Sequence, residues 1–150
     1  MSNRLRTLAW NVVKRLVKRR FPGVRGISSR QLANWLASDV PPPVLIDARQ
    51  REEYEVSHLP NAQHLPTVEA VQQAAIPADA TLVLYCSVGY RSARLAQQLQ
   101  DNGYGHVRNL EGSIFEWYNR GHPVVVDGRP VKRVHPYNRT WAVLLEAGKE

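Results

Sequence analysis

The sequence predicts an α/β fold: a three-layer α/β/α domain with a mostly parallel central sheet, an amphipathic helix before it and a hairpin tail after it. Three observations lead there. Two short apolar runs, Val44-Leu45-Ile46 and Thr81-Leu82-Val83-Leu84-Tyr85, read as strands buried on both faces, as the central strands of a parallel sheet are. Segments with helical spacing alternate with these runs. Each run leads into a chemically distinctive residue, Asp47 or Cys86. In open α/β sheets the working site lies at the carboxyl ends of strands.

The elements follow in order. Over residues 3–20, Leu5, Leu8, Ala9, Val12, Val13, Leu16 and Val17 recur at spacings of three and four. Arg4, Arg6, Asn11, Lys14, Arg15, Lys18 and Arg19 fill the other positions, so the segment is an amphipathic helix, stopped by Phe21-Pro22-Gly23. Val24 to Ile27 is a short strand. Ser28 or Ser29 caps a helix from Arg30 to Ala37, with Leu32, Trp35 and Leu36 inward. Pro41-Pro42-Pro43 is a rigid connector into the first apolar run. A short helix around Glu52 to Val56, a turn through Ser57 to Ala62 and an extended piece to Leu65 follow. Thr67 caps a helix to about Ala75. After Cys86, Ala93, Leu95, Ala96 and Leu99 are the apolar positions of a helix from Ser92, ended by Asn102-Gly103. His106 to Leu110 is a strand and Ile114 to Asn119 a short helix. In the tail, Asp127-Gly128 sits between β-branched runs as a hairpin turn, and Trp141, Val143, Leu144 and Leu145 pack back on the domain. The expected divisions are 1–23 for the arm, 24–123 for the domain and 124–150 for the extension.

Charge is uneven. Residues 1–30 carry nine Lys or Arg and no acid, while the other 120 hold eleven bases and thirteen acids. The basicity belongs to the arm. The arm's single aromatic within the helix, Trp10, and the slightly acidic domain behind it speak against nucleic-acid binding. No apolar run is long enough to span a bilayer, and Leu8 to Val13, broken by Asn11, is too short for a secretory signal. The expected location is cytoplasmic, with four roles open to the arm: peripheral contact with a membrane, contact with a partner protein, a transit peptide, or a helix packed on the domain.

The sole cysteine lies in Tyr85-Cys86-Ser87-Val88-Gly89-Tyr90-Arg91-Ser92. One cysteine excludes an intrachain disulfide and a cysteine-cluster metal site. A strand that delivers a thiol to a short loop at a helix start, beside an arginine, favours the nucleophilic thiolate. A buried structural cysteine is the alternative, but Ser87, Gly89, Tyr90 and Arg91 suit an open loop better than a core.

Three separated stretches agree on a family. Ile46-Asp47-Ala48-Arg49 with Glu53 and Tyr54-Glu55-Val56-Ser57-His58-Leu59-Pro60-Asn61-Ala62, the loop from Cys86 to Ser92, and Leu110-Glu111-Gly112-Ser113-Ile114-Phe115-Glu116-Trp117 resemble the signatures of rhodanese domains, over about residues 24–123. Asn61 and Ser113 stand where that family has glycine; asparagine tolerates left-handed conformations, and neither residue is expected to touch the nucleophile. The resemblance implies sulfur transfer through a persulfide on Cys86, from a small donor (thiosulfate or a persulfide) to cyanide or a thiol, with no cofactor. Ser87, Val88, Gly89, Tyr90 and Arg91 would form the substrate loop, with amides contributing most. Asp47 and Glu53 are candidates to brace Arg91, and Arg49 to bind substrate or a structural partner. Asp47, Arg49 and His58 read more readily as architectural. Four residues separate Cys86 from Arg91, whereas the phosphatases that share the fold have five, room for a tetrahedral phosphate. A phosphatase or arsenate reductase is therefore the weaker reading, and a rhodanese-fold interaction module targeted by the arm is a third.

Overall fold

The computed structural model describes residues 2–146. Five strands form one sheet: β1 (Arg25–Ile27), β2 (Val44–Asp47), β3 (Gln63–His64), β4 (Leu82–Tyr85) and β5 (Val107–Leu110), in spatial order β1-β5-β4-β2-β3. Every pairing in it is parallel. Asp47 pairs with Tyr85 in the β2–β4 register, so the acid stands beside the residue that precedes Cys86.

Alternation along the strands divides the core in two. Leu45, Val83, Tyr85 and Leu110 point to one face, where Leu32 of α2 (Ser29–Leu36) and Ile114, Phe115 and Trp117 of α6 (Ser113–Asn119) cover them. Ile46, Leu82, Leu84 and Val107 point to the other, under Val71 of α4 (Val68–Gln73) and Ala93, Leu95, Ala96 and Leu99 of α5 (Tyr90–Asp101). This is the expected three-layer arrangement. A further helix, α3 (Arg51–Val56), follows β2 directly and carries Glu53 to the sheet's carboxyl edge.

Local chemistry sets the element ends. Ser28 caps α2 in a reciprocal box with Gln31, and Thr67 caps α4. Asn61 adopts φ +65°, a left-handed conformation that asparagine tolerates. The tail forms the hairpin β6 (Val124–Val126) and β7 (Arg129–Val131), with Asp127 and Gly128 both left-handed, as a two-residue primed turn requires. His58 and Val125 exchange backbone hydrogen bonds of 3.0 and 2.8 Å, which join hairpin to domain.

Three expectations change. The helix after Cys86 starts at Tyr90, two residues early, because Gly89 completes the turn at φ +118°. Leu36 is not inward: it is the last residue of α2, and residues 37–42 after it are themselves exposed. Val143 is also exposed, since four neighbours leaving the single turn α7 (Arg139–Ala142) cannot all face the domain; Leu144 is buried, and Trp141 and Leu145 pack against the first core. Residues 147–150 of the expected extension lie outside the described residues.

The arm forms α1 (Asn3–Arg20), capped by Ser2. Trp10 is buried in the first core, with Ala9 and Val13 against it, while Val17 packs on the second. Lys14 Nζ lies 2.7 Å from Glu116 of α6. The apolar residues of α1 therefore split, and Leu5, Leu8, Val12 and Leu16 stay exposed.

Candidate active site

Cys86 follows β4 at the sheet's carboxyl edge and is 1% exposed. Two amides of α6 close the backbone around it: Ile114 N–H donates to the Cys86 carbonyl and Phe115 N–H to that of Ser87, both at 3.1 Å. The Cys86 N–H donates to Ser113 Oγ at 3.2 Å, and that hydroxyl donates to the Leu110 carbonyl at 3.0 Å. Ser113 sits at φ +50°. Ser113, expected to stand clear of Cys86, thus touches its backbone: it carries a left-handed φ and two buried hydrogen bonds that tie the cysteine to β5. Ser113→Ala keeps the strained φ and orphans a buried N–H; it should cost about 1–3 kcal/mol by thermal unfolding, more than Ser113→Gly, which relaxes the backbone.

The sulfur has defined neighbours. Gly89 N–H donates to Cys86 Sγ at 3.2 Å, and Ser92 Oγ lies 3.4 Å from it. Ser92 has one proton to give. Its 2.6 Å contact with Asn109 Oδ1 takes that proton, leaving the hydroxyl's lone pairs toward the sulfur. Asn109 Nδ2 donates to the Gly89 carbonyl at 3.0 Å, so β5 also holds the loop's turning point. Gly89 is needed for its backbone: φ +118° is closed to other residues, whereas a Cβ there would meet nothing nearer than 3.5 Å. The first amides of α5, which have no intrahelical acceptor, begin at Tyr90.

Arg91 turns away from a free anion site and into the loop's foundation. Its Nη1 and Nη2 donate to the two oxygens of Glu53 at 2.8 and 2.9 Å, and Nη2 donates to Ser87 Oγ at 2.9 Å. The Ser87 hydroxyl in turn donates to Glu53 Oε2 at 3.0 Å, and Gln50 N–H donates to Oε1 at 3.1 Å. Burial of Glu53 pushes its carboxyl up, but the Arg91 hydrogen bonds and charge, with the Gln50 amide, outweigh it and hold the group below the ordinary 4.5. Arg91 shifts the opposite way: burial opposes its charge, and Glu53 overcomes that. Of the two acids expected as braces, Glu53 takes the role. Ser87 acts through its side chain as well as its backbone, which the sequence reading assigned mainly to the amide.

Asp47 pairs elsewhere. It receives Nε and Nη2 of Arg49, the latter at 2.7 Å, together with the Arg49 N–H and the Tyr85 hydroxyl, which donates to Oδ2 at 2.6 Å. Arg49 Nη2 also donates to the Ser57 carbonyl at 2.6 Å. Both side chains of this pair are wholly buried. Burial opposes the Arg49 charge, yet Asp47 raises its proton affinity further above the usual range. His58 stacks on Tyr54 at 3.9 Å between ring centroids and donates from Nδ1 to the Tyr54 carbonyl, while its backbone bridges to Val125 of the hairpin.

The cavity over Cys86 measures about 160 Å³ and is lined by Ser87, Val88, Tyr90, Arg91, Tyr137 and Trp141. Sequence reasoning missed Tyr137. Its ring lies over the Arg91 guanidinium, 4.5 Å from Cζ to centroid, so the C-terminal extension walls the mouth. No local signal announces this, because Tyr137 is 46 residues beyond Arg91. Among the described residues no group of three His, Cys, Asp or Glu is arranged to hold a metal ion.

The sequence profile of the rhodanese-like domain matches residues 28–120. The chain belongs to the rhodanese-like domain family. A curated sulfurtransferase of Allochromatium vinosum is 36% identical over 103 residues, which are 68% of this chain and 95% of that one. A tRNA uridine(34) hydroxylase of Salmonella paratyphi B is 34% identical over 101 residues; the match takes in 63% of this chain and 28% of that protein. Among solved structures, a rhodanese-related protein from Thermoplasma volcanium superposes with a TM-score of 0.58 at 23% identity, over 69% of this chain and 99% of that one, a likeness of fold. The rhodanese match ends before Tyr137 and Trp141 and starts after α1, so the two elements that border the site and the arm are additions to the shared domain.

Proposed function

We propose that this rhodanese-like protein is a sulfurtransferase that carries a sulfane sulfur on Cys86. In the first step the Cys86 thiolate attacks the outer sulfur of a donor such as thiosulfate. A Cys86 S–S bond forms, the donor's S–S bond breaks, and sulfite leaves with the electron pair. In the second step a nucleophile, cyanide or a thiolate, takes the outer sulfur from Cys86–S–S⁻ and restores the thiolate. The chain has no second cysteine to resolve the persulfide, so the acceptor comes from outside.

The engagement of Arg91 is the observation that carries this reading. Three of the five guanidinium N–H bonds are committed to Glu53 and Ser87, and its face is covered by Tyr137. A phosphatase of this fold needs that arginine to clamp two phosphate oxygens. Here the arginine braces a loop one residue too short for a tetrahedral phosphate. The outer sulfur of a persulfide needs less: a small space and N–H donors directed at its negative charge. Gly89 N–H and the start of α5 supply donors. Ser87, Val88, Gly89, Tyr90 and Arg91 form the substrate loop, with Glu53 beneath it and the Asp47–Arg49 pair and His58 as outer supports. The sulfurtransferase of Allochromatium vinosum, aligned over nearly its whole length, supports the same reaction class.

The test uses the purified full-length protein. Thiosulfate and cyanide should yield thiocyanate with turnover, and p-nitrophenyl phosphate should not be hydrolysed. Phosphate-ester turnover by a protein with no cyanolysable sulfur would remove the proposal.

A further inference from the structure

We propose that the outward face of α1 is a docking surface for anionic lipid. Leu5, Leu8, Val12 and Leu16 are 58, 60, 48 and 57% exposed, against 7% for Trp10 on the same helix. At about 100° per residue these four side chains fall within an arc of roughly 80°, on the side opposite Trp10. Arg15 and Arg4 border the arc and Arg19 lies within it by the same geometry. By the same geometry Ala9, Val13 and Val17 continue the arc round to Trp10, so the apolar stripe is single and broad. Its inner half is consumed by the cores, and its outer half meets solvent as a contiguous row, which monomeric soluble domains seldom leave uncovered.

Charge selects the occupant. Residues 1–38 contain no Asp or Glu, and α1 itself holds seven Lys or Arg. A second copy pairing through this face would set arginine rows against each other with no acid between them. A nucleic acid would meet aliphatic side chains with no exposed aromatic, since Trp10 is buried. An anionic bilayer surface answers both features at once: acyl–headgroup depth for the leucines and valine, lipid phosphates for the arginines. No helix among the described residues is long and apolar enough to cross a membrane, so α1 lies along the surface.

The helix that carries the docking face is joined to the site at its C-terminal end. Phe21, which ends α1, packs edge-on against Tyr90 at 5.1 Å, and Arg20 lies over the Phe21 ring. Tyr90 lines the cavity above Cys86. A membrane-bound α1 thus holds the loop of Cys86 about one helix diameter, roughly 10 Å, from the lipid. The inference stands on packing and charge and does not depend on the sulfur chemistry.

Co-sedimentation of the full chain tests it, with vesicles of phosphatidylglycerol plus phosphatidylcholine and with phosphatidylcholine alone. Binding to the anionic vesicles should exceed that to the neutral ones by about tenfold or more. The double variant Leu8→Glu, Val12→Glu should lose at least about tenfold in partitioning while keeping its unfolding midpoint and thiocyanate formation, since both residues are exposed. Arg15→Gln with Arg19→Gln, which leaves the apolar row intact, should weaken binding and make what remains less sensitive to salt. Cys86→Ser should bind vesicles as the wild type does, which separates this proposal from the sulfurtransferase reading. Wild-type protein left in the supernatant, or equal binding by the Glu double variant, overturns it. So does a dimer in sedimentation velocity that the Glu variant dissociates without any vesicle binding.

Discussion

Cys86→Ser should lower thiocyanate formation from thiosulfate and cyanide by about 10³-fold or more, with a thermal midpoint close to the wild type. A serine hydroxyl is not ionised at neutral pH and forms no persulfide, so both half-reactions lose their carrier. The fold should tolerate the change because the side chain is small and its surroundings are polar: Gly89 N–H and Ser92 Oγ already face that atom. Mass spectrometry gives the direct readout. Wild-type protein treated with thiosulfate should gain about 32 Da on the Cys86 peptide, one sulfur atom, and the variant should not. A persulfide at Cys86 without transfer to cyanide would point to a thiol acceptor; transfer that persists in the variant would sink the assignment of Cys86.

Glu53→Gln should cost about 2–4 kcal/mol, roughly 5–15 °C in midpoint for a domain of this size, and should impair turnover as well. Glu53 is 1% exposed and gathers Arg91, Ser87 and the Gln50 amide on two oxygens. Removing its charge leaves the Arg91 guanidinium, 28% exposed, without its counter-ion, and that residual exposure keeps the cost below that of a fully buried pair. The pH dependence has a definite sign. The Glu53 carboxyl is held below its ordinary 4.5 in the folded protein, so its stabilisation is fully present above pH 4.5 and is lost as pH falls through the folded value. Thermal unfolding across the acid range should show the wild type and Glu53→Gln converging as pH drops below 4.5. A constant gap between them down to acid pH would mean that the Glu53–Arg91 pair is not the source of the difference.

Much of the architecture was legible because it is written in local periodicity. Apolar runs marked β2 and β4, three-and-four spacing marked α1 and α5, and Asp127-Gly128 marked the hairpin turn. Asn61 was recognisable as a left-handed substitute for glycine only through the resemblance, and the left-handed φ of Ser113 went unread, since a single φ leaves no periodic trace. Leu36 and Val143 were misplaced for a related reason: apolar character shows that a residue favours burial, not that a neighbour is there to cover it. The amphipathic reading of α1 was right about the helix and incomplete about its burial, because spacing shows how wide an apolar stripe is, not how much of it a neighbour covers.

Within the site, the chain alone showed the candidate nucleophile, the glycine that turns the loop and the four-residue span to Arg91, since all lie within six residues and backbone geometry binds them together. It could not choose between Asp47 and Glu53 as the partner of Arg91. That choice follows from the β2–β4 register, which sets Asp47 beside Tyr85 and leaves it to Arg49, and from α3, which carries Glu53 under the loop. Tertiary structure alone also brought Tyr137 over Arg91 and turned the outer row of α1 to solvent. The division is physical. Residues a few positions apart are related by the stiffness of the backbone, which sequence spacing reports. Residues tens of positions apart are related only by how strands register and helices pack.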